Sequence, residues 1–369
     1  MKCPLCSSSN IENIYDDKNS CITNVNVYIP LSLQICNQCG FVYNKTSQTD
    51  KYKQSIENAY KEFTKNDFFS FPNQSAENIR TLKMIIKHLP KKEYINILEI
   101  GSNRGDMLYM IKENVPNANV IGIDPTKYDE LCVPTIHTFF NSDMLSKTYD
   151  VVILQHVLEH MKDPFATIQS IKKIIRDNGI LYIEVPDLFN SLQYCVEDFT
   201  LEHINYFSLQ TLADVLSGFH IIESDTYSFL RIISKQRKQK YKNVYSDIDN
   251  IKDLFKKYSA NKNKLINLIK QTAYYGNRII FYGISYYFTN IYNRIKDYLN
   301  KEKCFYYDDN YNKPEEPHFF LPRVNMFAKG DLVIICSTNF RIQESIEQKL
   351  INYPEIKILR PWFSCTTVK

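Results

Sequence analysis

The feature that most constrains this fold is an apolar run ending on a glycine. Ile95–Ile100 leads straight into Gly101-Ser102-Asn103-Arg104-Gly105, after which Met107, Leu108 and Ile111 recur at helical spacing. The chain has only 9 glycines in 369 residues, so two of them four positions apart at a strand end mark a specific turn. Gly101 lets the chain reverse tightly, Gly105 lets helix and strand approach, and the intervening loop offers backbone N–H groups to a carboxylate or phosphate. Asp124 closes the next apolar run, 23 positions after Gly101, where a carboxylate suits the paired hydroxyls of a ribose.

This arrangement predicts a nucleotide site of the α/β type. Three features depart from a nicotinamide site. Asn103 stands where the middle glycine of G-x-G-x-x-G belongs, and Glu99 precedes the first glycine by two. A polar cluster, Gln155-His156-Val157-Leu158-Glu159-His160, also follows the strand predicted at 149–154.

The surrounding pattern predicts strands near 95–100, 120–123, 135–139, 149–154 and 180–185, with helices at 76–89, 105–114, 164–176 and 208–216. An antiparallel pair closes the series at 219–227 and 230–234. Alternating strands and helices predict a largely parallel, doubly wound sheet. Residues 235–275 are Lys-rich and read as a solvated helix or linker. A second strand–helix series follows, with strands at 278–282, 304–307, 331–336 and 356–359. Gly283, Asp308, Asp309, Ser337 and Thr338 fall at strand ends there, either as a degenerate nucleotide site or in a domain kept for packing.

Cys3-Pro-Leu-Cys6 and Cys36-Asn-Gln-Cys39 are two C-x2-C pairs with 29 residues between them. Each pair can sit on a tight knuckle, and two knuckles complete a tetrahedral all-sulfur site for zinc. Gly40 supplies the turn freedom a knuckle uses. Four thiolates leave no position for water, so the ion is read as a folding staple.

The segments Glu99-Ile-Gly101-Ser-Asn103-Arg-Gly105, Asp124 and Tyr149-Asp150-Val-Val-Ile-Leu-Gln155 resemble the class I S-adenosylmethionine-dependent methyltransferases. The resemblance implies that Glu99, Gly101, Asn103, Gly105, Asp124, Gln155 and His156 surround S-adenosylmethionine. With the four cysteines, His156-Val-Leu-Glu159-His160-x-x-Asp163-Pro164 and Glu202-His203-Ile-Asn-Tyr206-Phe207-Ser208, the chain is similar to the zinc-containing sugar C-methyltransferase family. Those enzymes methylate a carbon beside the ketone of a nucleotide-linked 4-keto-deoxysugar. The resemblance implies His203 as the base, Glu202 as its neighbour, His160 near the keto oxygen and Tyr60 from a lid. A satisfied loop position for His203, and a capping role for Glu159 and His160, are the plainer readings of the same residues.

The expected architecture is therefore α/β. A zinc knob (1–48) precedes a helical linker or lid (49–93) and a Rossmann-like class I methyltransferase domain (94–235). A helical linker (236–275) and a second Rossmann-like domain (276–369) complete the chain. The alternatives are O- or N-methylation of a sugar or polar metabolite, a zinc-ribbon RNA methyltransferase, and a cofactor-binding scaffold without turnover. A formal net charge of +4 argues against a dedicated nucleic-acid surface, so the expected partner is a small molecule such as a nucleotide sugar. The start of the chain has no apolar segment, the 10 cysteines read as reduced thiols, and no uncharged run reaches membrane-spanning length. A cytoplasmic location without membrane contact is the corresponding expectation.

Overall fold

The computed structural model describes residues 2–17, 20–22, 25–62, 75–194, 199–236, 247–283, 288, 292, 295–309, 321–337 and 340–359. They form two compact units, each assembled from separate stretches. The first combines Met1–Ile14, Ser32–Leu188 and Glu202–Ile248; the second combines Tyr15–Leu31, Phe189–Leu201 and Asp249–Lys369.

The chain opens with β1 (Ile11–Asp17), β2 (Cys21–Ile22), β3 (Val25–Tyr28), β4 (Leu31–Cys36) and β5 (Val42–Asn44), then α1 (Asp50–Glu62) and α2 (Ala76–His88). The central series is β6 (Ile95–Ile100), α3 (Asp106–Asn114), β7 (Ala118–Ile123), β8 (Thr135–Ile136), β9 (Tyr149–Gln155), α4 (Pro164–Ile174) and β10 (Ile175–Pro186). It continues through α5 (Leu188–Tyr194), β11 (Asn205–Tyr206), α6 (Leu209–Val215), β12 (Phe219–Asp225) and β13 (Phe229–Gln236). The last elements are α7 (Ile248–Tyr274), β14 (Ile279–Tyr282), β15 (Cys304–Tyr307), β16 (Leu332–Ile335), α8 (Phe340–Leu350) and β17 (Lys357–Leu359).

The first unit is built on a seven-stranded sheet of order β12-β13-β10-β9-β6-β7-β8. The five strands from β10 to β8 run parallel, and β13 and β12 close the edge antiparallel. Alternating residues of one strand face opposite layers, so Ile95 and Ile97 enter one apolar core while Leu98 and Ile100 enter the other. Ile100 is level with Ile123 on one side and Leu154 on the other, so the loops after β6, β7 and β9 leave the sheet along one carboxyl edge. Open parallel sheets bind ligands at that edge.

Two details differ from expectation. β10 begins five residues early, at Ile175, with a register shift before Ile180; Gly179 fits there because a Cβ would lie 2.7 Å from the Arg176 carbonyl. Lys235 and Gln236 end β13, paired with Ile180 and Phe219, and do not start a helix. Among the described residues, no helix is long and apolar enough to cross a membrane.

The first unit also holds most of a four-stranded sheet of order β1-β4-β5-β11. The sequence reading did not identify this sheet, although Leu31-Ser-Leu-Gln-Ile35 in β4 alternates apolar and polar residues. The second unit carries a parallel sheet of order β15-β14-β16-β17. Tyr15, Phe199, Phe255 and Tyr258 cluster in the same unit, beside a Lys262–Asp17 ion pair of 2.5 Å. Residues 284–287, 289–291 and 293–294, which follow β14, fall outside the described residues, as does Thr338. Asp309 accepts from the Tyr282 hydroxyl at 2.8 Å and pairs with Lys349 at 2.5 Å.

Candidate active site

The four cysteines come together. Cys3 and Cys36 are buried, the Cys3 and Cys39 sulfurs are 3.7 Å apart, and the Cys6 and Cys36 sulfurs are 3.5 Å apart. A disulfide needs about 2.05 Å. A tetrahedral ion with Zn–S bonds of about 2.3 Å sets its sulfurs ~3.8 Å apart. The two knuckles repeat the same backbone. Ser7 N–H donates to the Cys3 carbonyl at 2.9 Å and Gly40 N–H to the Cys36 carbonyl at 2.8 Å. Ser7 and Gly40 both have positive φ, 61° and 72°. The donor set, spacing and paired turns fit zinc.

The glycine loop follows β6 and caps α3. Gly101 (φ 72°) donates to the Ile123 carbonyl at 2.7 Å, and a Cβ on it would lie 2.3 Å from Val157 Cγ2. Gly105 (φ 89°) would meet Val133 Cγ2 at 2.4 Å. Both positions therefore require glycine on conformational and steric grounds. Asn103 also has positive φ (48°), which asparagine tolerates.

Asp124 braces this loop. Its carboxylate is buried and accepts from Asn103 N–H at 2.9 Å and Thr126 N–H at 2.8 Å. The Tyr128 hydroxyl donates to the Asn103 side-chain oxygen at 2.9 Å. Glu99 is 3% exposed, and burial together with Asp106, Asp124 and Glu184 pushes its carboxyl well above the usual range. Its Oε2 and the Ser102 hydroxyl have no hydrogen-bond partner among the described residues.

The turn after β9 carries the second half of the site. Gln155 donates to Asn78 of α2 at 3.0 Å. His156 holds a positive φ of 54° because both its backbone and its ring are tied down. Its N–H donates to the Glu184 carbonyl at 2.9 Å; its Nε2 lies 3.2 Å from Glu184 Oε1, and its Nδ1 3.5 Å from Glu159 Oε1. Burial opposes an imidazolium here, yet Glu159 and Glu184 outweigh it and raise His156 to about 10.

His160 and His203 meet ring to ring at 4.9 Å, and His160 Nδ1 donates to the Glu202 carbonyl at 2.9 Å. Glu202 thus reaches His160 through its backbone. Burial and the nearby His160 pull His203 down to about 3. β11 explains why these distant residues meet. Ile204 N–H donates to the Glu159 carbonyl at 2.8 Å, its own carbonyl accepts from Asn44 N–H at 2.8 Å, and Asn205 pairs with Tyr43 of β5. The Asn205 amide adds bonds of 3.3 and 2.7 Å to the Leu158 and Met161 carbonyls. Neither Glu159 nor His160 caps α4; Asp163 does so, accepting from Ala166 N–H at 2.8 Å. Tyr60 lies in α1, and its side chain falls outside the described residues.

The sequence reading missed Glu184 and Arg231. Glu184 is fully buried. Its Oε2 takes bonds from Thr81 (2.6 Å), Tyr182 (2.5 Å) and Arg231 (3.1 Å), and its Oε1 faces His156. A lone Glu in an apolar strand, two positions after a Tyr, was the available signal.

Residues 72–222 match a family model described as a methyltransferase domain. An uncharacterized methyltransferase of Schizosaccharomyces pombe is 22% identical over 129 residues, which is 30% of this chain and 46% of that protein. The chain thus spans about half the length of that curated relative. Among solved structures, the 1,6-didemethyltoxoflavin-N1-methyltransferase of Burkholderia thailandensis aligns over 60% of this chain and 100% of its own (13% identity, TM-score 0.42). The N-methyltransferase NodS of Bradyrhizobium japonicum aligns over 45% and 100% (12% identity, TM-score 0.34). The matched residues, 72–222, carry the parallel sheet and the braced glycine loop, so the likeness to a methyltransferase domain falls on the segment that builds the candidate site.

Proposed function

We propose that this chain transfers the methyl group of S-adenosylmethionine to a small polar acceptor. The glycine loop carries the reading: two positive-φ glycines with no room for a Cβ, held by a carboxylate at the end of the next strand. Gly101, Asn103 and Gly105 would wrap the cofactor, and Asp124 would offer its remaining lone pairs to the ribose. The unpartnered Glu99 Oε2 and Ser102 hydroxyl are buried groups that a bound polar ligand would complete. Gln155 and His156 would border the reacting end. Four thiolates at tetrahedral spacing support a structural zinc on Cys3, Cys6, Cys36 and Cys39.

The acceptor that best suits the rest of the cluster is an enolisable ketone on a nucleotide-linked sugar. A base removes the proton beside the ketone, and the carbanion forms a C–C bond to the methyl group. The C–S bond breaks with its electrons left on sulfur, and the proton stays on the base. His203 is the base in this reading, with Glu202 beside it, His160 on the keto oxygen and Tyr60 contributed from α1. The supporting observation is the contact between His160 and His203, which lie 43 positions apart in sequence.

Calorimetry with S-adenosylhomocysteine tests the first reading. Wild type is expected to bind, and Gly101→Val is expected to abolish binding, since its side chain collides with Val157. A Gly101→Val variant that binds normally sinks the loop assignment. On the true acceptor, His203→Ala is expected to keep cofactor affinity and lose methyl transfer by about 10²–10⁴-fold, the usual worth of a general base. A wild-type rate in that variant removes His203 from the reaction. Binding of nucleoside diphosphates in the same assay tests the nucleotide-sugar acceptor, and their failure to bind favours another polar metabolite.

A further inference from the structure

We infer that Glu159, His160 and His203 form a binding site for a divalent transition-metal cation. The inference rests on the methyltransferase reading for the cation's use in catalysis, but not for its binding.

One carboxylate oxygen and one nitrogen from each ring all lie within 4.8 Å of one another. Bonds of about 2.0–2.2 Å to a tetrahedral ion would set such atoms ~3.4 Å apart. The cluster therefore stands slightly wider than a closed coordination sphere.

Glu159 gives the first independent reason. It is 1% exposed, and neither carboxylate oxygen has a hydrogen-bond partner among the described residues. Burying an ionised carboxylate is costly unless cations complete it, and His156, 3.5 Å from Oε1, is a distant partner that leaves Oε2 open. His156 Nδ1 lies 3.5 Å and His160 Nε2 3.9 Å from its Oε1, both longer than an ordinary hydrogen bond.

His160 gives the second. A carbonyl can only accept, so the 2.9 Å contact with Glu202 fixes the ring proton on Nδ1. Nε2, 3.9 Å from Glu159 Oε1, is then the ring nitrogen turned toward the carboxylate. Metal-binding histidines have this arrangement: the distal nitrogen donates to a backbone carbonyl and the other nitrogen ligates. The Ile204 N–H bond to the Glu159 carbonyl locks the two ligand-bearing segments together. Both ring nitrogens of His156 are engaged, one by Glu159 and the other by Glu184.

Two imidazoles and one carboxylate suit Zn²⁺, Mn²⁺, Fe²⁺ or Co²⁺, and three protein ligands leave room for water or an acceptor oxygen. A cation there would polarise the carbonyl or hydroxyl of the acceptor. It also makes His203 a ligand in place of the base that the ketosugar reading makes of it.

Cobalt titration of the full-length, metal-stripped chain tests the site by metal content and visible absorption. Wild type is expected to take up two equivalents, one with a thiolate-to-cobalt charge-transfer band and one without. Glu159→Gln and His203→Ala should each keep the thiolate equivalent and bind the other at least ~100-fold more weakly. Uptake of a single equivalent by wild type overturns the site, as does unchanged binding of the second in both variants. The wild-type stoichiometry decides alone if a variant fails to fold. S-adenosylhomocysteine calorimetry on the same samples keeps the two readings apart. Ligand binding with one cobalt removes the cation site and leaves the methyltransferase reading. Two cobalts without ligand binding keep the cation site and remove that reading.

Discussion

Replacing Cys36 with Ser is expected to release one zinc per chain and unfold the N-terminal sheet. Cys36 ends β4 and is fully buried, so it cannot relax into solvent. Structural zinc in small folding units contributes roughly 10–16 kcal/mol of apparent binding energy, most of it expressed as folding energy. The loss reaches beyond the knuckles. β4 pairs with β5, β5 pairs with β11, and Asn44 holds the Ile204 carbonyl that follows His203. Phe41 packs on Phe207 at 5.7 Å across the same join. Zinc removal should therefore lower amide-exchange protection at Asn44, Ile204 and Asn205, and lower methyl transfer, while the β6–β9 core keeps its protection. Elemental analysis, thermal unfolding and hydrogen exchange check this. A Cys36→Ser chain with one zinc and the wild-type melting midpoint contradicts the four-thiolate site.

The central sheet was legible because its signals are local. Ile95–Ile100 carries four aliphatic residues in six positions, as a strand covered on both faces does, and Gly101 punctuates it. The cysteine pairs were legible for the same reason: C-x2-C spacing fixes each half of the site within four residues. Asp124 was found by position, but its bonds to Asn103 and Thr126, which brace the loop, are set by tertiary packing. β11 is two residues long and exists because β5 and the turn after β9 supply its partners, so no periodicity announces it. That segment brings His203 to His160, which a short motif such as Glu-His-x-x-Tyr cannot convey. A capping role was the plainer reading of Glu159 and His160; the cap of α4 is Asp163, and Glu159 is buried.

Arg231→Met is expected to destabilise the first unit by about 3–5 kcal/mol, the usual cost of removing one partner from a buried ion network. Arg231 is 0% exposed, with guanidinium contacts to Glu77 (2.5 Å), Glu184 (3.1 Å) and Asp225 (3.5 Å) and a bond to the Tyr227 carbonyl (2.7 Å). Burial alone would raise the Glu184 carboxyl, but His156 and Arg231 outweigh it and hold it at about 2. Without Arg231, Glu184 stays buried with one cation fewer, and α2 loses the Glu77 bond that ties its first turn to β13. The charge left behind, not the lost volume, dominates the cost. Arg231→Met with Glu184→Gln should therefore be more stable than Arg231→Met alone, although each single change is destabilising. Urea unfolding of the four proteins measures the coupling. A single-variant loss under about 1 kcal/mol, or strictly additive losses, shows that Arg231 does not neutralise Glu184. The sign also bears on the site, because Glu184 Oε1 faces His156. A Glu184 that takes up a proton when Arg231 is gone no longer holds the His156 imidazolium, and the strained backbone at that residue loses its main restraint. S-adenosylhomocysteine affinity should then fall in Arg231→Met, although Arg231 itself lies on β13, between β10 and β12.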